Sequence, residues 1–379
     1  MKIGFLTYGM EHSLTGIGRY TVELTRALQK LGGDLDITLL NPYPDSELEW
    51  YREFPGHPLP HLKRVYGAAT LGNLELHRAA QTLGLDILHD PCGIAPFLSR
   101  GGRYKRVTTV HDAVPLIYPE TQPLATRLIF RTLIPAARWT TDAVLTVSQA
   151  SATDLRQRLG LPAERVHVTP CGVNLPAELP AADLAATLAR LELPSRYLLY
   201  VGALHPRKNL GGVLQAFTRL RGQLSDTPHA GVKLLIVGPA SWGFKAREQL
   251  GQSCSFEDVQ FTGYVPDADL SALYRGTLGL VYPSFYEGFG LPALEGMAHG
   301  APVITSNTSS LPEVVGDAAL TVDPADAAAI AAAMYRLVTE PELRASLSVK
   351  GRARAATFTW DRMARQTLDV YSGLLNGSQ

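Results

Sequence analysis

Short runs of valine, isoleucine and leucine alternate along this chain with longer segments whose apolar residues follow a helical period. In the first half these segments are KIGFLTY (2–8), GRYTVELTRALQKLG (18–32), DITLL (36–40), LDILHD (85–90), RVTTVHD (106–112) and AVLTVS (143–148). Strands that alternate with helices predict βαβ units and a parallel sheet that is buried on both faces. This alternation limits the possible folds more than any other feature of the chain.

The same alternation starts again near residue 196. Its segments are RYLLYVGAL (196–204), the helical LGGVLQAFTRLRG, VKLLIVGPA (232–240), VQFTGYV (259–265), LGLVYPS (278–284) and PVITSN (302–307). We therefore predict an α/β protein of two doubly wound, Rossmann-like domains that face each other across a cleft. Ligands are expected in such a cleft, at the carboxyl ends of both sheets.

The predicted domains are residues 1–192 and 193–357, joined by a linker at LARLELPS (188–195), where a proline and a polar turn separate the two series. FTWDRMARQTLDVYSGLL (358–375) predicts an amphipathic helix, and residues 358–379 are expected to pack back on the first domain. A length of 379 residues agrees with two domains of roughly 150 residues or more each.

The composition excludes several classes of protein. Thirty-five basic residues balance 35 acidic ones, so no general attraction to nucleic acid is expected and an anion site must be local. The three cysteines, Cys92, Cys171 and Cys254, lie far apart, which disfavours disulfide or zinc sites and fits a reducing cytoplasm. The start, MKIGFLTYG, is interpreted as a strand rather than a signal peptide, and no run approaches the ~18 apolar residues of a spanning helix. We predict a cytoplasmic protein.

The stretch YEGFGLPALE (286–295) combines acidic residues with a flexible backbone. Pro292 predicts the first turn of a helix over about 292–299. Gly288 and Gly290 would let backbone amides approach a ligand beside the positive end of that helix. These features predict an anion site.

Glu287 and Glu295 lie eight positions apart around that site. A carboxylate accepts two hydrogen bonds and can bind the vicinal hydroxyls of a ribose or a hexose. The stretch is therefore interpreted as a place for a sugar, a phosphate and a second sugar. A solvated acid in a loop and a glutamate at a helix start explain the same residues equally well when the stretch is taken alone.

The stretch GALHPRKNL (202–210) follows the first strand of the second series. Arg207 offers a planar fork for phosphate oxygens and Lys208 a compact charge, and Asn209 is expected to cap the next helix. The two cations would neutralise a diphosphate. The alternative is a pair of solvated surface cations.

TGIGRY (15–20) forms the first strand-to-helix turn of the chain, where Gly16 and Gly18 allow close approach of the backbone to a ligand. Residue 21 is Thr21, so the third glycine of the dinucleotide-binding fingerprint is missing. An ordinary tight turn explains the two glycines equally well, and a nicotinamide cofactor is disfavoured.

His111 and Asp112 end an apolar strand in VHDAVPLIYPE (110–120) and would point into the cleft. A histidine there could donate to a sugar hydroxyl or stabilise developing charge. The alternative, a satisfied polar pair at a strand end, is the commoner one.

Two DxD patterns, DLD (34–36) and DAD (267–269), have ordinary explanations. The first precedes a strand, and in the second Asp267 is expected to cap a helix. We predict no metal and no other cofactor.

Together these segments resemble the retaining glycosyltransferases of family 4, whose members have the GT-B fold of two Rossmann domains. The resemblance covers nearly the whole chain through TGIGRY, HDAVPLIYPE, VGALHPRKNL, FTGYVPDADLSALY and PSFYEGFGLPALEGMAHGAPVITSN. Its most specific mark is the pair Glu287 and Glu295. It implies that the first domain binds the acceptor, the second binds a nucleotide-diphosphate sugar, and the final helix packs on the first domain.

The resemblance also implies roles for individual residues. Among the catalytic positions, Glu287 would contact the donor hexose near its reacting carbon, His111 would contact the same sugar, and Arg207 and Lys208 would bind the diphosphate. The substrate-binding positions are Glu295 for the ribose hydroxyls, the amides of Phe289, Gly290 and Leu291 for sugar and phosphate, Val265 for the base, and Gly16 and Gly18 for donor phosphate or acceptor.

The reaction implied is metal-independent transfer of a hexosyl group with retention of configuration, in which the leaving diphosphate helps to deprotonate the acceptor. This route asks the protein for positioning and charge stabilisation. Members of the family often carry another arginine two to six residues before the lysine. Here that loop is GALHP, so Arg207 is expected to act in its place.

The resemblance is closest to the branch that builds bacterial surface polysaccharides, which favours GDP-mannose as donor and a glycan or lipid-linked acceptor. TRLIFRTLIPAARW (126–139) carries Arg127, Arg131 and Arg138 on about one helical face. That face could lie peripherally on an anionic bilayer at the inner side of the membrane. A domain helix with a cationic outer face is the alternative.

Two further functions remain open at this stage. A GT-B-fold sugar-nucleotide epimerase or hydrolase would consume the donor without an acceptor. A non-catalytic homologue would bind the nucleotide sugar only, although the set of Glu287, Glu295, Lys208 and His111 is complete.

Overall fold

A computed structural model describes residues 1–11, 16–63, 71–93, 102–132, 134–177, 180–239 and 257–377. The chain forms two compact units, one of Met1–Gly172 with Thr359–Gln379 and one of Val173–Phe358. The first unit thus ends before the boundary predicted at 192/193. The helix Ala181–Arg190 packs on the helix Asp267–Gly276 of the second unit, which explains this difference.

In the described part of the first unit, seven parallel strands form one sheet with the order β3-β2-β1-β4-β5-β6-β7. These strands are β1 (Lys2–Leu6), β2 (Asp36–Asn41), β3 (Gly56–Pro58), β4 (Ile87–Asp90), β5 (Lys105–Thr109), β6 (Ala143–Thr146) and β7 (Val166–Val168). The order reverses at β1, so a switch point lies between β1 and β4. The predicted parallel sheet is confirmed.

The described α-helices of the first unit lie between its strands and at the carboxyl terminus of the chain. They are α1 (Gly16–Leu31), α2 (Leu71–Thr82), α3 (Val114–Ile117), α4 (Leu124–Thr132), α5 (Ala137–Thr140), α6 (Gln149–Leu159) and α14 (Trp360–Asn376), with α7 to α13 in the second unit. Helix α14 packs along α1, where Lys30 Nζ lies 2.9 Å from Asp361 Oδ2. The prediction that the final helix returns to the first domain is confirmed.

In the described part of the second unit, six parallel strands have the order β10-β9-β8-β11-β12-β13. The strands are β8 (Tyr197–Val201), β9 (Lys233–Val237), β10 (Val259–Gly263), β11 (Gly279–Tyr282), β12 (Val303–Ser306) and β13 (Leu320–Val322). Strand order reverses at β8, which pairs with β9 on one side and β11 on the other. The predicted segment 232–240 contains β9, and its last residue lies outside the described residues.

The α-helices in the described part of the second unit cover its sheet. They are α7 (Ala181–Arg190), α8 (Leu210–Leu224), α9 (Asp267–Gly276), α10 (Leu291–Ala298), α11 (Leu311–Val315), α12 (Ala327–Thr339) and α13 (Pro341–Ala355). A core of Leu198, Phe217, Ile236 and Met334 joins β8 and β9 to α8 and α12, and all four side chains are fully buried. Apolar strands such as YLLYV of β8 are buried along their whole length, which is typical of parallel sheets covered on both faces.

Candidate functional site

The carboxyl ends of β8 and β11 carry the predicted cations and the first glutamate. Arg207 and Lys208 follow β8, and Glu287 follows β11. Because these two strands are parallel neighbours, their following loops lie at the same edge of the sheet. This edge is the point at which strand order reverses, where doubly wound sheets bind ligands.

The loop after β8 is fixed by hydrogen bonds to its neighbours. Asn209 adopts a left-handed conformation with φ 59°, and its Oδ1 accepts from Gly212 N at 3.2 Å, so the predicted cap of α8 is confirmed. Asn209 Nδ2 donates to the carbonyls of Pro283 and Pro324 at 3.1 and 2.6 Å. Phe285 N donates to the Arg207 carbonyl at 2.8 Å. The loops after β8 and β11 are thereby tied together.

Glu287 lies at the centre of a cluster of charged and polar groups. Its Oε2 accepts from Arg207 Nη1 at 2.7 Å, and its Oε1 lies 2.6 Å from Lys208 Nζ. The hydroxyl of Tyr282 donates to the same Oε1 at 2.7 Å. Arg207 Nη1 also donates to the carbonyl of Tyr286 at 2.9 Å. The four side chains carry two positive charges and one negative charge at neutral pH.

The electrostatics of this cluster keep Glu287 ionised. The residue is only 5% exposed, and burial alone would raise the pKa of its carboxyl. The positive charges of Lys208 and Arg207, with hydrogen bonds from Lys208 and Tyr282, outweigh that effect and hold the pKa of Glu287 at about 2. A buried carboxylate with two cationic partners is compensated, and the cluster retains net positive charge for an anion.

The loop from Glu287 to α10 is held by two serines. Glu287 N donates to Ser309 Oγ at 3.1 Å, and Ser309 has a positive φ of 52°, which is uncommon for a residue other than glycine. The hydroxyl of Ser310 lies 2.9 Å from the Glu287 carbonyl and 2.8 Å from that of Phe289. These contacts determine the path of the backbone that presents the carboxylate.

Helix α10 begins one residue earlier than predicted, at Leu291, and ends at Ala298, so Pro292 is its second residue. Gly290 is the cap with φ 107°, a conformation that favours glycine, and a Cβ there would lie 2.6 Å from Leu311 Cδ2, so that side chain would have to shift. In the described part of the chain, no partner is found for the amides of Phe289, Gly290 and Leu291. Their role in binding an anion stays a prediction.

Glu295, on α10, is half-buried. Its Oε2 accepts from the hydroxyl of Tyr274 at 3.2 Å. The ring of Tyr274 stacks on His299 at 5.2 Å between centroids, and His299 Nδ1 lies 2.8 Å from the Glu295 carbonyl. The hydrogen bond from Tyr274 limits the freedom of the Glu295 side chain.

Val265 lies between β10 and α9 and is half-buried. Helix α9 begins at Asp267 with Pro266 as its cap, so the expectation that Asp267 caps this helix is wrong. The side chain of Pro266 has no hydrogen-bond acceptor. The carboxylate of Asp267 lies instead in the first turn, where its negative charge interacts favourably with the positive end of the helix dipole.

Three of the predicted site residues, Gly16, Gly18 and His111, belong to the first unit. Gly16 is the first residue of α1, and Gly18 lies in its first turn; both are therefore helical, and the helix starts earlier than the predicted residue 18. Thr15 of the same motif lies outside the described residues. Tyr20 of α1 contacts His111 edge to face, with 4.8 Å between ring centroids.

His111 lies just beyond β5. Since a carbonyl only accepts, Nε2 of His111 carries the proton that is donated to the Pro91 carbonyl at 2.8 Å. Burial lowers the pKa of His111, and the hydrogen bond to Pro91 and the charge of Asp112 offset this only in part. The imidazole is neutral at pH 7, with Nδ1 as an acceptor. The alternative of a satisfied polar pair at the strand end agrees with these contacts, since Nε2 donates to Pro91 and Asp112 Oδ1 accepts from Val114 N at 2.9 Å.

Sequence reasoning missed Tyr282, Ser309 and Ser310, although they contact Glu287 or its backbone. The available signal was a polar residue at the end of an apolar strand, as in LGLVYPS, and a run of serines after PVITSN. Neither pattern indicates a partner by itself. Among the described residues, no group of three or more His, Cys, Asp or Glu is arranged to hold a metal.

Two family models match the chain. The model described as Glycosyltransferase Family 4 matches residues 14–176, and the model described as Glycosyl transferases group 1 matches residues 189–354. The two matches fall on the two series of strands and helices.

Two relatives of similar length are named as mannosyltransferases. The chain is 33% identical to O-antigen chain mannosyltransferase B of Escherichia coli, over 98% of this chain and 99% of the relative. It is 29% identical to the MMP alpha-(1->4)-mannosyltransferase of Mycolicibacterium hassiacum, over 98% of each chain.

Solved structures show the same fold at low sequence identity. A sucrose-phosphate synthase from Thermosynechococcus elongatus superposes with a TM-score of 0.79 at 23% identity, covering 100% of both chains. HepE of Anabaena in complex with UDP-glucose superposes with a TM-score of 0.78 at 18% identity, covering 98% of this chain and 100% of that one. The predicted GT-B fold is confirmed.

Proposed function

This chain belongs to glycosyltransferase family 4, and on that premise we propose that it transfers a mannosyl group from GDP-mannose to a glycan or lipid-linked acceptor. The transfer proceeds with retention of configuration and without a metal ion. Its relatives named as mannosyltransferases support the sugar. We propose guanine as the base because the resemblance to the branch that builds surface polysaccharides favours GDP-mannose as the donor.

The observation that carries the proposal is the pairing of Arg207 and Lys208 with Glu287 at the reversal of strand order. Two cations at 2.7 and 2.6 Å from one buried carboxylate leave net positive charge where a diphosphate would leave the sugar. Charge fixed in place before the reaction stabilises a leaving group without reorganisation. The two cations would therefore neutralise the leaving diphosphate, as a divalent metal does in metal-dependent enzymes.

Donor binding is tested first by thermal shift with GDP, UDP, ADP and NAD, each with and without EDTA. A ligand at about 100 times its Kd adds roughly 2.7 kcal/mol of stability. We expect GDP to stabilise the protein in EDTA as well. In Glu295→Ala the stabilisation should fall, because the ribose hydroxyls lose their acceptor. Glu342→Ala, at an exposed carboxylate in the first turn of α13, is the control and should respond as the unaltered chain.

Stabilisation by none of the nucleoside diphosphates, or by NAD alone, would contradict the donor site. Stabilisation that disappears in EDTA would contradict metal independence. A stronger response to UDP would correct the base and leave the transferase intact.

The reaction is tested with GDP-mannose and a mannose-terminated acceptor, followed by proton NMR of the anomeric position. An α-linked product from the α-configured donor is the expected result, and a β-linked product would contradict retention. Rapid release of free mannose without acceptor would favour the hydrolase, a changed sugar on the nucleotide would favour the epimerase, and binding without turnover would favour the non-catalytic homologue.

Helix α4 presents apolar and basic side chains outward, and we propose that it lies on an anionic membrane surface near a lipid-linked acceptor. Leu124 and Leu128 are 78% and 62% exposed, one turn apart, while Ile129 and Phe130 of the same helix pack on the core. Arg131 is also exposed. An exposed apolar strip beside cations is typical of interfacial helices. No helix of the described residues is long and apolar enough to cross a bilayer.

The membrane proposal predicts that Leu124→Glu with Leu128→Glu reduces co-sedimentation with phosphatidylglycerol vesicles by about tenfold or more, since two apolar side chains of the contact become acidic. Val349→Glu, at a valine on α13 that is 63% exposed, is the matched control. Equal binding of the double variant and the unaltered chain would refute the proposed surface. Vesicles of phosphatidylcholine alone should bind weakly in every case.

A further inference from the structure

Tyr282, the last residue of β11, lies between two ions of opposite charge. Its hydroxyl donates to Glu287 Oε1 at 2.7 Å and accepts from Lys208 Nζ. The Lys208 ammonium also lies 4.7 Å from the centroid of the Tyr282 ring, within the range of a cation–π contact. The tyrosine is fully buried, so its hydroxyl has a fixed position.

The cluster as it stands directs both cations at Glu287. Arg207 and Lys208 each contact a different oxygen of the carboxylate. A diphosphate that binds the same cations must share them with Glu287 or replace it. A buried carboxylate that loses its cations and keeps no hydrogen-bond donor is strongly destabilised. Diphosphate binding therefore requires a group that stays on Glu287 when the cations turn away.

We propose that Tyr282 is this positioning residue. Its hydroxyl keeps a hydrogen bond on Glu287 and an acceptor for Lys208, so that the ammonium can turn toward phosphate oxygens while the carboxylate remains in place. The inference rests on the function proposed above, since it concerns the diphosphate of the donor. Tyr282 acts through Lys208 and Glu287 and does not itself contact the substrate.

Two further observations agree with this role. Burial, with the nearby charge of Glu287, raises the pKa of Tyr282 well above its ordinary value, so the hydroxyl keeps its proton and remains a donor. A second buried tyrosine, Tyr200, donates from its hydroxyl to the Lys208 carbonyl at 3.3 Å. Tyr200 therefore fixes the backbone of Lys208, while Tyr282 contacts its ammonium. The Lys208 side chain can then change its direction without movement of the backbone.

The test compares Tyr282→Phe with Tyr197→Phe. Tyr197 is buried in β8, and its hydroxyl donates to the Leu273 carbonyl at 2.9 Å, so the control loses one buried hydroxyl of the same unit outside the cluster. Both variants keep the ring, and circular dichroism and thermal melting establish that they are folded. Binding of GDP and of inorganic pyrophosphate is measured by titration calorimetry, and kcat and the donor KM are measured with GDP-mannose.

We expect Tyr282→Phe to bind both probes about tenfold more weakly than the unaltered chain, because Glu287 then depends on the cations alone and competes for them more strongly. The donor KM should rise with the Kd. Tyr197→Phe should stay within about twofold. Tyr282→Phe is then combined with Glu287→Gln. The double variant should bind both probes within about twofold of Glu287→Gln alone, since no carboxylate remains for the Tyr282 hydroxyl to hold.

Each outcome has a distinct meaning. Equal binding by Tyr282→Phe and the unaltered chain would overturn the role of Tyr282 and leave the transferase function standing. An undiminished tenfold loss in the Glu287→Gln background would also overturn it, because the hydroxyl would then not act through Glu287. Failure of the unaltered chain to bind either probe would remove the donor function and this inference together.

Discussion

Replacing Lys208 by methionine should lower kcat/KM by about 10²–10³-fold, which corresponds to roughly 3–4 kcal/mol of transition-state stabilisation. Lys208 is 8% exposed, and methionine retains most of its apolar stem, so the loss is mainly one of charge. The ammonium lies 2.6 Å from Glu287 Oε1 and would face the diphosphate as it takes up negative charge. Steady-state kinetics with GDP-mannose and an acceptor measure the effect.

Lys233→Met is the matched control for this substitution. Lys233 lies on β9 of the same unit and pairs with Asp258 Oδ1 at 3.0 Å, outside the cluster of Lys208. Its replacement should change kcat/KM by less than about twofold. A Lys208→Met enzyme that keeps activity within a few fold would show that Arg207 carries the diphosphate alone, and the assignment of Lys208 would be abandoned.

Gly172→Ala should reduce the free energy of unfolding by about 3 kcal/mol, the upper part of the range for overpacked sites. A Cβ at residue 172 would lie 2.2 Å from Trp360 N and 2.6 Å from the Thr359 carbonyl carbon. These are backbone atoms, so the clash cannot be relieved by rotating a side chain. The segment entering α14 would have to move away from Gly172.

Urea unfolding followed by circular dichroism measures this loss, with Gly56→Ala as control. Gly56 lies in the edge strand β3 of the same unit, is exposed, and has no heavy atom within 4 Å of an added Cβ. The free energy of unfolding of Gly56→Ala should lie within about 0.5 kcal/mol of that of the unaltered chain. Equal midpoints for both variants would mean that residues 359–360 can shift freely at Gly172.

Strands in the interior of the sheets were predictable, and the two edge strands of the first sheet were not. The runs at 2–8 and 196–204 correspond to β1 and β8, whose apolar residues are buried by neighbours on both sides. The strands β3 and β7 each have three residues and lie at the two edges of the first sheet. Their sequences carry no strong periodic signal, because pairing to a neighbour rather than burial on two faces holds them in place.

Helix ends also depended on contacts that the local pattern does not contain. The helix predicted from Pro292 begins at Leu291, because Gly290 takes a left-handed conformation against Leu311. The helix predicted from Gly18 begins at Gly16. By contrast, the cap at Asn209 was predictable, since its side chain bonds an amide only three residues away.

The sequence by itself determined the alternation of strands and helices, the two series, and the positions of Glu287, Arg207 and Lys208 at strand ends. These depend on local periodicity and on residue type, which neighbouring positions reveal. The tertiary structure alone decided that Tyr282 lies between Lys208 and Glu287, and that α1 is the helix of the first unit on which α14 packs. Such contacts join residues far apart in the chain, and only the parallel order of β8 beside β11 and the burial of an amphipathic face bring them together.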